Sequence, residues 1–173
     1  MIISTDKVFH RFTIAFNDFE EALGYLEEAK LHRRGSLAHQ ALLSMAVICY
    51  SRPFSPNEKR SDAKAQSSLS DNDLGAFSPS ERRLHDLCRT VRNKAIAHSE
   101  FDHNPTEFNA SGHIWSKHFC IYDAEIDLAE FESLIRGRID ACHAARAPYV
   151  THRRRTGGGD GEWLATMANL LSR

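Results

Sequence analysis

No apolar run in this chain approaches the roughly 18 residues that a membrane-spanning helix needs. The longest, 41–50, is too short, so no membrane association is expected. The opening residues lack a basic stretch followed by an apolar core and a small-residue cleavage site, which argues against a secretory signal. Cysteines number only four, Cys49, Cys88, Cys120 and Cys142, and none form a CxxC pair. They lie far apart, and this reads as buried thiols in a reducing cytoplasm, not a disulfide framework. Charge of either sign is also missing in excess: the formal net charge is −1. Proteins that coat nucleic acid non-specifically are strongly basic, so any RNA binding here must use a local patch and weaken with salt.

Two chemical signatures are absent as well. There is no HExxH and no Cys/His pair at zinc-finger spacing, although His98, Glu100, Asp102 and His103 fall close together. No metal is therefore expected. Gly157-Gly158-Gly159 lacks the following Lys-Ser/Thr of a phosphate loop, so no cofactor is implied.

What is present is helical periodicity. Hydrophobic residues make up 42% of the 173, enough for one domain with a real core. Residues 5–33 carry Val8, Phe12, Ala15, Phe16, Phe19, Ala22, Leu23 and Leu26 at spacings of three and four, which predicts a helix. Gly35-Ser36 breaks it. Ser36 can cap a second helix over 37–52 that is apolar nearly all round and so belongs at the centre of a bundle. Pro53 and Pro56 end that helix, because proline cannot continue the backbone ladder. Residues 53–78 read as a polar, mobile loop.

A third helix starts at Ser78-Pro79-Ser80-Glu81, where a Ser cap, a first-turn Pro and an early Glu coincide. It runs to about residue 97, with Leu84, Leu87, Cys88, Val91 and Ala95 on one stripe. Residues 99–125 are irregular. There, His113-Ile114-Trp115 and Phe119-Cys120-Ile121-Tyr122 fit either short strands of a hairpin or packed loop. The last long helix spans 126–146, and Pro148 stops it. A flexible tail, 148–173, follows the 1–147 bundle; it holds the basic run Arg153-Arg154-Arg155 and a candidate short helix over 163–171. The fold class is all-α: an up-and-down bundle of four to five helices with an irregular insertion between the third and fourth.

The candidate chemistry lies in Arg92-Asn93-Lys94-Ala95-Ile96-Ala97-His98, at the end of the third helix. A guanidinium can grip a phosphate in a fork, and an imidazole can move a proton near neutral pH. The same residues also suit an ordinary helix ending, where Arg and His meet terminal carbonyls and the negative end of the dipole.

This signature resembles that of the HEPN domains (higher eukaryotes and prokaryotes nucleotide-binding). Their motif is Arg, four to six residues, then His, often with a polar residue after the Arg. Tyr50-Ser51-Arg52-Pro53-Phe54 is similar to a segment ending the second helix of some bacterial members. The resemblance covers roughly residues 5–147. It implies a metal-independent endoribonuclease of the toxin–antitoxin or phage-defence kind, cleaving single-stranded RNA at a composite homodimer site. Arg92, His98 and Asn93 would be catalytic, with Arg89 and Lys94 binding RNA. Other HEPN domains are catalytically silent and bind a nucleotide, an RNA or a partner protein such as an antitoxin, and this chain fits that alternative too.

Overall fold

The computed structural model describes residues 3–55, 68–96, 106–108, 110–116 and 119–155. The fold is all-α. Among the described residues there are four α-helices: α1 (Ile3–Leu31), α2 (Leu37–Ser51), α3 (Pro79–Thr90) and α4 (Leu128–Arg155). A 3-10 turn at Arg52–Phe54 follows α2, and a π-helix at Val91–Ile96 continues α3. No described helix is long and apolar enough to cross a membrane.

α1 and α2 form an antiparallel pair because only a short turn joins them. Gly35 takes φ +87° in that turn, a left-handed value that glycine reaches without strain. Ser36 then caps α2, its hydroxyl accepting from the His39 amide. α4 packs antiparallel to α1: Phe9 meets Tyr149, Phe16 meets His143, and Lys30 pairs with Glu132. Arg136 ties the same face, bonding Glu27 and Glu132 at 2.7 and 2.8 Å. α3 packs on α2 and α4 and closes the bundle.

The core is the sum of the inward stripes. Ala15, Phe19, Ala22 and Leu26 of α1 face Leu43, Val47 and Tyr50 of α2, Leu84 and Cys88 of α3, and Phe131, Leu134 and Ile135 of α4. Tyr50 sits at its centre, with Phe19 and Phe131 centroids 5.7 and 5.4 Å away. Cys49, Cys88 and Cys142 are buried and all four cysteines are free thiols. Burial pushes the Cys49 thiol up to about 12 and Cys142 up to about 11, which suits a packing role.

Several details differ from the sequence expectation. The first half of α2 is not buried all round: Leu37 is 83% exposed. Its buried residues begin at His39. The loop after α2 is not simply polar. Pro53 and Phe54 are buried, and Leu69 and Leu74 return to the core, with the Leu69 amide donating to the Pro53 carbonyl at 2.7 Å. A few apolar anchors suffice to pin a polar segment, and periodicity cannot find them. The hairpin exists, but β2 (Ile114–Ser116) pairs with β1 (Thr106–Phe108), Glu107 opposite Trp115. Phe119–Tyr122 is not its partner: 121–124 form a 3-10 turn whose Ile121 enters the core.

The largest correction concerns α4, which starts at Leu128 and continues through Pro148 to Arg155. Proline removes one helical hydrogen bond, that to the Ala144 carbonyl. Ala144 and Pro148 are both exposed, so water can serve that carbonyl, and Phe9 against Tyr149 holds the next turn. Arg153-Arg154-Arg155 is therefore helical backbone. Residues 156–173, including the candidate helix over 163–171, lie outside the described residues.

Candidate functional site

α3 starts as its sequence demands. The Ser78 hydroxyl accepts from the Glu81 amide, and the Glu81 carboxylate accepts from the Ser78 amide at 2.8 Å, a complete capping box with Pro79 in the first turn. The Ser78 hydrogen bonds hold the Glu81 carboxyl below its ordinary range. The other end is unusual. From Val91 the ladder widens to i→i+5 spacing for six residues. Such π segments are rare and concentrate at functional positions, because they shift side chains around the axis relative to an α-helix.

The motif residues lie in this π-helix. Val91 stays in the core, Arg92 is half-buried, and Asn93 and Lys94 are exposed. The Arg92 Nη1 donates to Asn93 Oδ1 at 2.8 Å. The adjacent pair thus forms one unit. The carboxamide oxygen holds the guanidinium, and the rest of the fork and the amide NH₂ remain as donors. His98 lies outside the described residues. Arg89, the candidate RNA contact one turn before Arg92, donates from Nη1 to Asp71 at 3.2 Å.

That Asp71 belongs to a network that sequence reasoning missed. His85, wholly buried on the inner side of α3, receives or donates on both ring nitrogens. Nδ1 is 2.9 Å from the Tyr50 hydroxyl and Nε2 is 3.3 Å from Asp71 Oδ1. Arg82 bonds the other carboxylate oxygen. Phe77 lids the cluster, its ring 4.6 Å from His85 and 4.5 Å from the Arg82 guanidinium. Burial lowers the His85 pKa, with Asp71 opposing. Burial raises the Asp71 carboxyl, but the Arg82 hydrogen bond and the charges of His85, Arg89 and Arg82 outweigh it, and the net shift is downward. Burial drives the Tyr50 hydroxyl well above its usual range.

Among the described residues, Asp71, His85 and Asp86 could bring ligand atoms within 4.8 Å of one another. Their chemistry does not suit a cation. Both His85 nitrogens are engaged, and two guanidiniums already neutralise Asp71. The arrangement is an ion-paired brace between the loop after α2 and the face of α3 that precedes Arg92. One signal for it was in the sequence: a histidine beside Leu84 on a stripe otherwise apolar. Nothing in the polar segment marked Asp71 as its partner.

Comparison of the chain with family models, with characterised proteins and with solved structures gives no significant match.

Proposed function

We propose that the chain is a HEPN-like, metal-independent endoribonuclease acting on single-stranded RNA as a homodimer, in a toxin-type or defence role in the cytoplasm. The observation that carries this reading is the π-helix Val91–Ile96 at the motif, with Arg92 fixed to Asn93 at its exposed face. π segments are frequent at functional sites, and this one holds the motif's first two residues.

The chemistry would be as follows. RNA carries its own nucleophile, the ribose 2′-hydroxyl. His98 takes its proton or protonates the leaving 5′-oxygen. Arg92 stabilises the charge that grows on the phosphorane, and Asn93 keeps the guanidinium oriented. Attack of the 2′-oxygen on phosphorus breaks the bond to the 5′-oxygen, leaving a 2′,3′-cyclic phosphate and a 5′-hydroxyl. A two-fold pairing of protomers would bring two such motifs to one groove. Lys94 is an exposed cation beside the pair, suited to a flanking phosphate. Arg89 contributes to RNA only if the phosphate competes with Asp71.

The test is substrate chemistry. An RNA oligonucleotide and a DNA of the same sequence are incubated with the protein. The RNA is cut and the DNA, lacking the 2′-hydroxyl, is not. Cleavage of both would overturn the mechanism. A second reading, a catalytically silent module that binds a nucleotide, an RNA or a partner protein, draws on the near-neutral charge and on the neutralisation of Arg82 and Arg89 by Asp71. Binding of the RNA without cutting would favour it.

A further inference from the structure

A cleft of about 570 Å³ opens where the α1–α2 turn, the first half of α2 and the start of α4 meet, with the 3-10 turn 121–124 as one wall. It is separate from the Arg92 motif, and three unusual features converge there.

The first is His39. It borders the cleft and is only 3% exposed. Nδ1 lies 3.3 Å from the His32 carbonyl, which can only accept, so Nδ1 carries a proton. Nε2 is buried and has no hydrogen-bond partner. In the neutral ring that nitrogen is a bare acceptor, and buried polar atoms without partners are rare. The second is Glu125, the one non-glycine among the described residues with positive φ, at +51°. It ends the 3-10 turn, a position whose geometry favours glycine. An exposed carboxylate stands there instead, and no described residue pairs with it. The third is Arg34. Its guanidinium lies over the Tyr122 ring at 5.6 Å and has no carboxylate partner among the described residues. Tyr122 itself is fixed: its hydroxyl accepts from the Gly35 amide at 2.7 Å, and its ring lies 5.5 Å from that of His39.

The cleft is thus bordered by Arg34 and Glu125, each without an ion-pair partner among the described residues, and by the buried His39, over an apolar floor of Leu43 and Ile121. Asp127 also borders it, but its Oδ1 is committed to the amides of Ala129 and Glu130 at the start of α4. A small molecule with a carboxylate, an ammonium group and an apolar body complements that set. We infer that the cleft binds a free α-amino acid with an apolar side chain. The carboxylate goes to Arg34, the ammonium donates to His39 Nε2 and Glu125, and the side chain rests on Leu43 and Ile121. The inference does not depend on the ribonuclease reading.

The experiment is titration of the full chain with L-leucine and L-phenylalanine, followed by calorimetry and by amide chemical shifts. 4-Methylpentanoate and isoamylamine, each carrying half of the leucine charge pattern, are the controls. Saturable binding is expected with a dissociation constant at or below about 1 mM, and each half-ligand should bind at least about tenfold more weakly. Arg34→Gln and Glu125→Gln should each weaken binding by about tenfold or more with the melting temperature unchanged, since both side chains are exposed. Glu125→Gly relaxes the turn and removes the carboxylate, so it should melt no lower and still lose affinity. Absence of saturation with both amino acids at about ten times that concentration would overturn the inference. So would equal binding of the amine alone, or full affinity in both charge variants.

Discussion

At the scale of single residues, Tyr50 and His85 form the polar centre of an otherwise apolar core. Both are wholly buried and each satisfies the other. Tyr50→Phe leaves the His85 Nδ1 without its partner in the core, and should cost about 1–3 kcal/mol in a urea melt. Phe19→Ala should cost more, about 3–5 kcal/mol, because it opens a cavity between Tyr50 and Phe54. The buried histidine also sets a pH dependence. Its folded pKa lies below the ordinary value, so between that lowered value and about 6.5 the unfolded chain binds more protons than the folded one. Stability therefore falls as pH drops through this window. Asp71 adds to the loss only at lower pH, where its depressed carboxyl begins to protonate. Melting temperatures at about pH 7.5 and about pH 5.5 should differ more for the parent than for His85→Gln. An identical difference in the two proteins would show that His85 is not the titrating group.

At the scale of elements, the readable parts were those whose signal is local. The capping box of α3 needs only Ser78, Pro79 and Glu81, and these stand together in the chain. The apolar stripe of α1 repeats at three and four, and it enters the core as expected. What escaped was set by tertiary context. Leu69 and Leu74 are isolated leucines in a polar segment, and only the returning chain shows that they are anchors. Pro148 carries a strong local stop signal, but the contact between Tyr149 and Phe9 overrides it. The π-helix has no sequence mark at all, since its residues fit an ordinary helix equally well. Two predictions belong here. Pro148→Ala restores one helical hydrogen bond and should raise stability by about 1–3 kcal/mol, read from a denaturant melt. Ser78→Ala removes the cap and should lower it by about 1 kcal/mol in the same measurement.

At the scale of the whole molecule, side-chain bonds from α2 and from the loop after it brace the helix that leads into the candidate chemistry. The loop after α2 is tied to α3 through Asp71, while α2 holds the same helix through Tyr50 and His85. Arg92 and Asn93 follow directly, on a π-helix that reaims them. For the proposed site, the sequence supplied the motif and the structure adds the local geometry of its first two residues. The ion pairs that hold that end of α3 involve residues far apart in the chain, which no spacing rule connects.

The most direct measurement is cleavage of a mixed single-stranded RNA in the presence of chelator by the parent, Arg92→Ala and His98→Ala, with the product ends identified and the oligomeric state checked in parallel. The proposed ribonuclease cuts as a dimer and leaves 2′,3′-cyclic phosphates. Arg92→Ala should be slower by about a hundred- to a thousandfold, and His98→Ala should be inactive with the dimer intact. Variants that cut as fast as the parent, or a dimeric parent that does not cut at all, would contradict it.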